Sequence, residues 1–458
     1  MLRGLGLIFG SAFLALAFQI HGLVGTHGIL PAADYLEAAR QALPGPSRWW
    51  IVPTVFWETG AGDQALTVVV ALGLISSLSL TVNRAPRLAV ALCTLCFLSC
   101  ISVLQEFSAY QSDGMLLEAG FISVFFAPRG IRPGLGVADP PIGLARFLLL
   151  WEWFRIYFES GVVKLLSGDV HWRTLTALDH YFETSPLPSW IGWYVQQVPP
   201  VMLHAATAMI LVAELVLPWM MFLPRRWRMI CFAIVTPFQI GIILTANYAF
   251  LNYLVLLLGF LLLDDPQPPP PAAIGWRQYT TGAVLGVLWY ATVAIALFPN
   301  SVLGFPARLL APSRIANAYG LFAVMTPGEY EIEFQGTRDG VTWVPYPFRY
   351  KPQDPAEAPG IYAPYQPRFD WNLWFASLGP PEDSPWVVAT QRRLLDNDAS
   401  VLSLFRGNPF AGAPPRQVRT VLWRYWFTTV AERRRTGQWW NRELVGPFVG
   451  PLPAGYGP

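Results

Sequence analysis

Long apolar runs separated by short breaks rich in Pro, Gly and Arg dominate residues 1–299. Crossing the hydrocarbon core takes about 20 apolar residues as a helix. Candidate runs are Leu5–Gly25, Gln64–Thr81, Leu88–Phe107, Gly114–Pro128, Gly143–Leu166, Pro200–Leu223, Met229–Thr245, Phe250–Leu263 and Thr280–Phe298. The fourth is short, and the pair flanking Asn247 also reads as one bent unit, so the pattern predicts about nine spans. No small-residue cleavage site follows the first run, which therefore reads as an uncleaved span rather than a signal peptide.

After residue 300 the period changes. In "EYEIEFQGTRDGVTWVPYPFRY", Tyr330, Ile332 and Phe334 alternate with Glu331 and Glu333, and an Asp-Gly turn follows. That is a hairpin pattern. "FDWNLWFASL" places Trp371, Trp374, Phe375 and Leu378 at helical intervals, "WVVATQRRLLDN" reads as a second helix, and "QVRTVLWRYWFTTV" reads as a strand. The expected organisation is a helical transmembrane domain over 1–299 and a small α+β domain over 300–458. Its aromatic residues suit core packing, and any exposed ones suit a partner protein or the lipid interface. "DDPQPPPPAA" (Asp264–Ala273) is a stiff polyproline tie to the last span. "GLIFG" (Gly6–Gly10) and "GAVLG" (Gly282–Gly286) match the small-residue spacing of close helix contacts.

Arginine placement sets the expected orientation. Arg3, Arg84, Arg87, Arg129, Arg132, Arg225–Arg228 and Arg277 fall on one side of a nine-span chain. That side is expected to be cytoplasmic, with the N-terminus inside and residues 26–62, 167–199 and 300–458 outside. Composition agrees with a multi-pass protein: 53% of residues are hydrophobic and 13% charged, against about 25% charged in soluble domains. The net charge of +2 offers no basic surplus for a nucleic-acid partner. Cys93, Cys96, Cys100 and Cys231 all lie in expected spans, so "CTLC" reads as small packing residues rather than a redox motif.

"GVVKLLSGDVHWRTLTALDHYFETSPLPSWIGWYVQQVP" (Gly161–Pro199), "AYQSDGMLLEAGF" (Ala109–Phe121), "YEIEFQGTRDGVTWVPYPFRYKP" and "YWFTTVAERRRTGQWWNREL" resemble blocks of the lipase maturation factor family. The resemblance runs along nearly the whole chain. Ser112 departs from it, because the family usually has Trp there, and no Asn-x-Ser/Thr acceptor is present. It implies a membrane-embedded folding factor for exported or lumenal lipases, without a cofactor. Animal members sit in the endoplasmic reticulum membrane with the C-terminal region in the lumen. A bacterial member would face the periplasm. Expected partners are an exported lipase or related hydrolase and the membrane lipids. "YFESGVVKLLSGDVHW" is also similar to a helix end in the vitamin K-dependent γ-carboxylase, where a lysine is the base toward a quinone. Lys164 stands in the matching place.

The fifth span carries charge where lipid would penalise it by about 3 kcal/mol per group. Glu152, Arg155 and Glu159 share one helix face, which must look into the bundle. Lys164 lies off that face and needs another partner or water, with Glu118 the first candidate carboxylate and Glu159 the second. Glu106, Asp113 and Glu118 lie at the outer ends of the third and fourth spans, and His171, Asp179, His180 and Glu183 occupy the loop above. Together these predict an outward-opening polar pocket. Three roles fit it: an ion-pair network that fixes packing, a cavity for a lipid, quinone or client segment, or a catalytic site with Lys164 as base. The His171/His180 spacing fits no usual zinc pattern, and no GxSxG elbow supports a lipase activity of its own.

Overall fold

The computed structural model describes residues 1–134, 136, 139–264, 276–453 and 455, without the side chains of 277 and 278. Residues 265–273 of the proline-rich stretch lie outside the described residues. Among those described, each expected run holds a helix: α1 (Leu2–Val24), α2 (Asp63–Thr81), α3 (Pro86–Val103), α4 (Gln111–Phe126), α5 (Gly143–Leu166), α6 (Pro200–Leu215), α7 (Arg225–Thr245), α8 (Leu251–Gly259) and α9 (Trp276–Leu297). Tighter turns extend α6 to Phe222 and α8 to Leu263. Six of the nine are long and apolar enough to cross a membrane. The others are α4, with 16 residues, α8 with its extension, and the charged α5. Proline sets the starts of α3 and α6, where a missing N–H costs nothing.

Helix α1 runs through the centre of the bundle. Phe9 and Phe13 meet Phe97 of α3 edge-on at 6.0 and 5.7 Å, and Phe97 meets Phe250 at 6.4 Å. Gly6 permits the close approach of α2: a Cβ there would lie 2.6–2.8 Å from Thr81 and the Ser77 carbonyl oxygen. The second small-residue motif makes no such contact, since a Cβ at Gly282 or Gly286 would meet nothing within 4 Å. All four cysteines are buried and free, and Cys93 and Cys96 pack in the apolar core.

The two ends of the bundle differ. At one end the α2–α3 turn binds the segment after α4, through Ala85 N–H to Ile131 O and Arg87 to Ala127 O. Near the same end Arg146 pairs with Asp264 at 2.7 Å, and Arg228 donates to the Asp264 carbonyl. The C-terminal domain packs on the other end. It touches the end of α1 at Gly22, the start of α4 at Asp113, and Asn247 after α7.

That domain is a four-stranded antiparallel sheet with two longer helices, α10 (Arg368–Ser377) and α11 (Pro385–Leu395), and short ones at Ala399–Leu402 and Val430–Thr436. Its strands are β1 (Glu329–Thr337), β2 (Val344–Pro345), β3 (Gln417–Phe427) and β4 (Trp440–Pro453), in spatial order β2-β1-β3-β4. The hairpin forms as the alternation predicts, with Gln335 opposite Pro345. Its turn is fixed by the Asp339 carboxylate, which accepts from the N–H groups of Thr342 and Val341 and is thereby held well below the usual carboxylate range. Glu329, Glu331 and Glu333 are all buried, because the second face of the sheet is also covered. Trp374 donates to Glu329 at 3.0 Å, Lys351 pairs with Glu331, and Gln353 donates to Glu333 at 3.2 Å. On the other face Phe334, Phe348, Phe369 and Phe405 form an aromatic cluster. The apolar core runs unbroken from that cluster into the helical bundle.

Candidate functional site

Arg155 points from α5 to α4 and pairs with Glu118 in a fully buried contact. Its second arm donates to the Asn317 carbonyl at 2.6 Å. The other oxygen of Glu118 accepts from Tyr319 O–H at 2.9 Å and Asn317 Nδ2 at 3.1 Å. Glu159, one turn further along α5, accepts from Tyr319 N–H at 2.7 Å. The coil after the last helix is thus drawn between α4 and α5. Glycine at 114 makes this possible, since a Cβ there would lie 2.8 Å from Asn317 Oδ1. Glu152 is buried on the same helix, and neither of its oxygens finds a hydrogen-bond partner among the described residues.

Lys164 is not part of this cluster, which corrects the expected pairing with Glu118 or Glu159. Its ammonium contacts both oxygens of Glu214 on α6, at 2.5 and 2.6 Å, and lies 5.0 Å from the Trp172 ring centroid. The reason is helical phase. Lys164 is about two and a half turns beyond Arg155 and so projects from the opposite side of α5. Arg155 meets α4, and Lys164 meets α6.

The expected single outward pocket is likewise corrected, because its members separate. Asp113 forms a two-pronged, fully buried pair with Arg368 of α10, at 2.7 and 2.8 Å. Glu106 is exposed past the end of α3, and its backbone carbonyl accepts from Asn372. His171 and His180 stack edge-on at 4.8 Å. Burial, with His171 adding to it, holds His180 below the ordinary imidazole value. Asp179 binds His204 at 3.0 Å. Glu183 accepts from Phe427 N–H at 2.8 Å, and burial pushes its carboxyl up.

Between α5, α6, α7 and α8 lies a largely apolar cavity of about 330 Å³ whose lining includes Tyr157, Lys164, Glu214 and Gln239. Sequence reasoning missed Glu214, Asn317, Tyr319 and Arg368. Only Glu214 carried a usable signal: a lone carboxylate in the apolar run "MILVAELVLPW" requires a buried cation.

Chemically, the carboxylates of Glu118 and Glu214 and the cations of Arg155 and Lys164 are engaged by one another or by the coil. Such an arrangement fixes helix positions.

The comparisons with known proteins agree with this architecture. Residues 1–268 match the family model described as the lipase maturation factor transmembrane domain, and residues 315–450 match the lipase maturation factor C-terminal domain. The chain is 30% identical to lipase maturation factor 1 of Bos taurus over 497 residues, covering 99% of this chain and 88% of the relative. It is 30% identical to lipase maturation factor 2 of Homo sapiens over 584 residues, covering 98% and 81% respectively. No solved structure matches. With both halves of the chain matched in order, the protein belongs to the lipase maturation factor family.

Proposed function

We propose that this protein is a membrane-embedded maturation factor that helps exported lipases, or related hydrolases, reach an active fold. The observation that carries this reading is the match to curated lipase maturation factors over 99% of the chain. The geometry favours a folding factor over an enzyme. Lys164, the residue a catalytic reading would use as base, is clasped by both oxygens of Glu214. Loss of the protein is expected to lower the specific activity of an exported lipase while its transcript stays constant. An unchanged active fraction for every exported hydrolase measured would overturn the proposal.

The proposal extends to topology. Nine spans place the N-terminus in the cytoplasm and the 300–458 domain outside, in the periplasm or the endoplasmic reticulum lumen. The gathering of the Arg87, Arg146 and Arg228 contacts at the end away from the C-terminal domain supports this. Single cysteines are introduced in a background without the native four. Ser47→Cys and Thr436→Cys should label with an impermeant thiol reagent in intact cells, and Arg84→Cys only after permeabilisation. Protection of Thr436→Cys in intact cells, with normal labelling after lysis, would contradict an odd span number.

A further inference from the structure

The cavity between α5, α6, α7 and α8 has features that the maturation role does not use. Its volume, about 330 Å³, lies at the lower end of small-molecule sites, about 300–1,000 Å³. That suits one acyl or alkyl chain rather than a two-chain phospholipid. Its rim includes Met209 on α6 and Gly241 on α7, both exposed. Exposed Val212, Ile234 and Leu244 flank them, so the mouth opens sideways onto surface that suits the hydrocarbon of a bilayer.

Two of the cavity's unpartnered polar groups among the described residues, the Tyr248 hydroxyl being a third, point to a head group. Tyr157 and Gln239 line the cavity and are each 4% exposed. The Tyr157 hydroxyl and Gln239 Oε1 have no hydrogen-bond partner among the described residues. Leaving such groups unpaired away from water is unfavourable. The phenol has a proton to give, and the amide oxygen needs one. A hydroxyl group accepts the first and donates the second.

The charge of the lining selects further. Lys164 and Glu214 are the only Asp, Glu, Lys or Arg residues among the described residues that line the cavity. Their charges sum to zero wherever the shared proton sits. An ionised head would bring an uncompensated charge into a site of low dielectric. We infer that the cavity binds a single-chain neutral lipid with a hydroxylated head, of the monoacylglycerol or fatty-alcohol type, entering laterally between α6 and α7.

The test uses the full chain in lipid nanodiscs and a monoacylglycerol carrying a diazirine on its chain. Saturable photolabelling should map to α5 and α7, and monoolein should displace it at least tenfold more effectively than oleate. Gly241→Phe is the blocking variant, because a Cβ there meets nothing within 4 Å and the change favours helix. It should cut labelling at least tenfold without lowering the melting temperature. Met209→Trp, on the opposite rim, serves as a second block if Gly241→Phe melts early. Tyr157→Phe combined with Gln239→Leu should abolish the preference for monoolein over oleate. Labelling that does not saturate, or that survives a folded blocking variant, overturns the site. Equal displacement by oleate overturns the neutral, hydroxylated head. None of these readouts depends on lipase activity, so the result stands apart from the maturation proposal.

Discussion

Replacing Arg368 with Met tests whether the C-terminal domain and the helical bundle form one cooperative body. Arg368 and Asp113 are both 0% exposed and joined at 2.7 and 2.8 Å. Arg368 also donates to the Phe107 carbonyl at 2.8 Å, so the side chain ties α10 to the α3–α4 turn at two points. Arg368→Met leaves the Asp113 carboxylate stranded away from water. Removing one half of a buried pair costs about 3–5 kcal/mol. At about 2.1 cal/mol/K of unfolding entropy per residue, each kcal/mol moves the melting temperature of one cooperative body of this length by about 1 °C, which predicts a drop of roughly 3–5 °C. Tryptophan fluorescence during a thermal ramp in detergent reads it, and limited trypsin digestion should release the C-terminal domain earlier. Adding Asp113→Leu should recover most of the loss, since an apolar pair of similar volume is often near neutral. Arg368→Lys should fall between, because an ammonium cannot reproduce the fork. A melting temperature for Arg368→Met within about 1 °C of the parent, the shift expected from about 1 kcal/mol, or a double variant no better than the worse single one, would refute the argument.

Further outcomes follow from other contacts. Lys164→Met should cost about 3–5 kcal/mol by stranding Glu214; Glu214→Leu should rescue its melting temperature, and Glu118→Gln should not. Burial pushes the Asp370 carboxyl up to about 7, against the pull of Lys351 and two backbone N–H groups. The folded state therefore holds this proton more tightly than the unfolded state, whose carboxyl titrates near about 3.9. The associated stability is complete below about pH 4 and is lost as pH rises to about 7. Asp370→Asn should flatten the melting-temperature profile in that window, and parallel profiles for the two proteins would contradict the assignment. Gly6→Leu should destabilise by about 1–3 kcal/mol or more, as an overpacked contact with Thr81 and Ser77, whereas Gly282→Ala should be neutral or slightly stabilising in the same melt.

The helices were legible because bilayer length and apolar runs impose them, and even the short α4 and α8 appear where the pattern changes. The phase of α5 was also readable, since Glu152, Arg155 and Glu159 had to face inward. What escaped were partners supplied from far along the chain. Asn317 and Tyr319 sit in a coil without periodicity, and nothing local marks them as ligands for Glu118. Glu214 was detectable as an isolated carboxylate, and helical phase turns Lys164 to the side of α5 opposite Arg155, but that α6 lies there was not in the pattern. Strand β4 was missed because Gly446, Pro447, Gly450 and Pro451 read as breaks. It lies at the sheet edge, where proline is tolerated because no neighbour needs its N–H. The buried glutamates of β1 had the right alternation, but a strand pattern cannot reveal that both faces of a sheet are covered.

The coil between α4 and α5 also has a consequence for biosynthesis. Asn317 is 199 residues beyond Glu118. At about 5–20 residues per second, roughly 10–40 s pass between synthesis of the carboxylate and synthesis of the residues that complete its surroundings. During that interval α4 and α5 are already made, with Arg155 as the one charged partner available to Glu118. The helical half therefore passes through a waiting stage, open where the coil will enter, before the C-terminal half closes it. A truncation ending before residue 317 would halt the protein at that stage, with a gap between two helices that the finished chain never exposes.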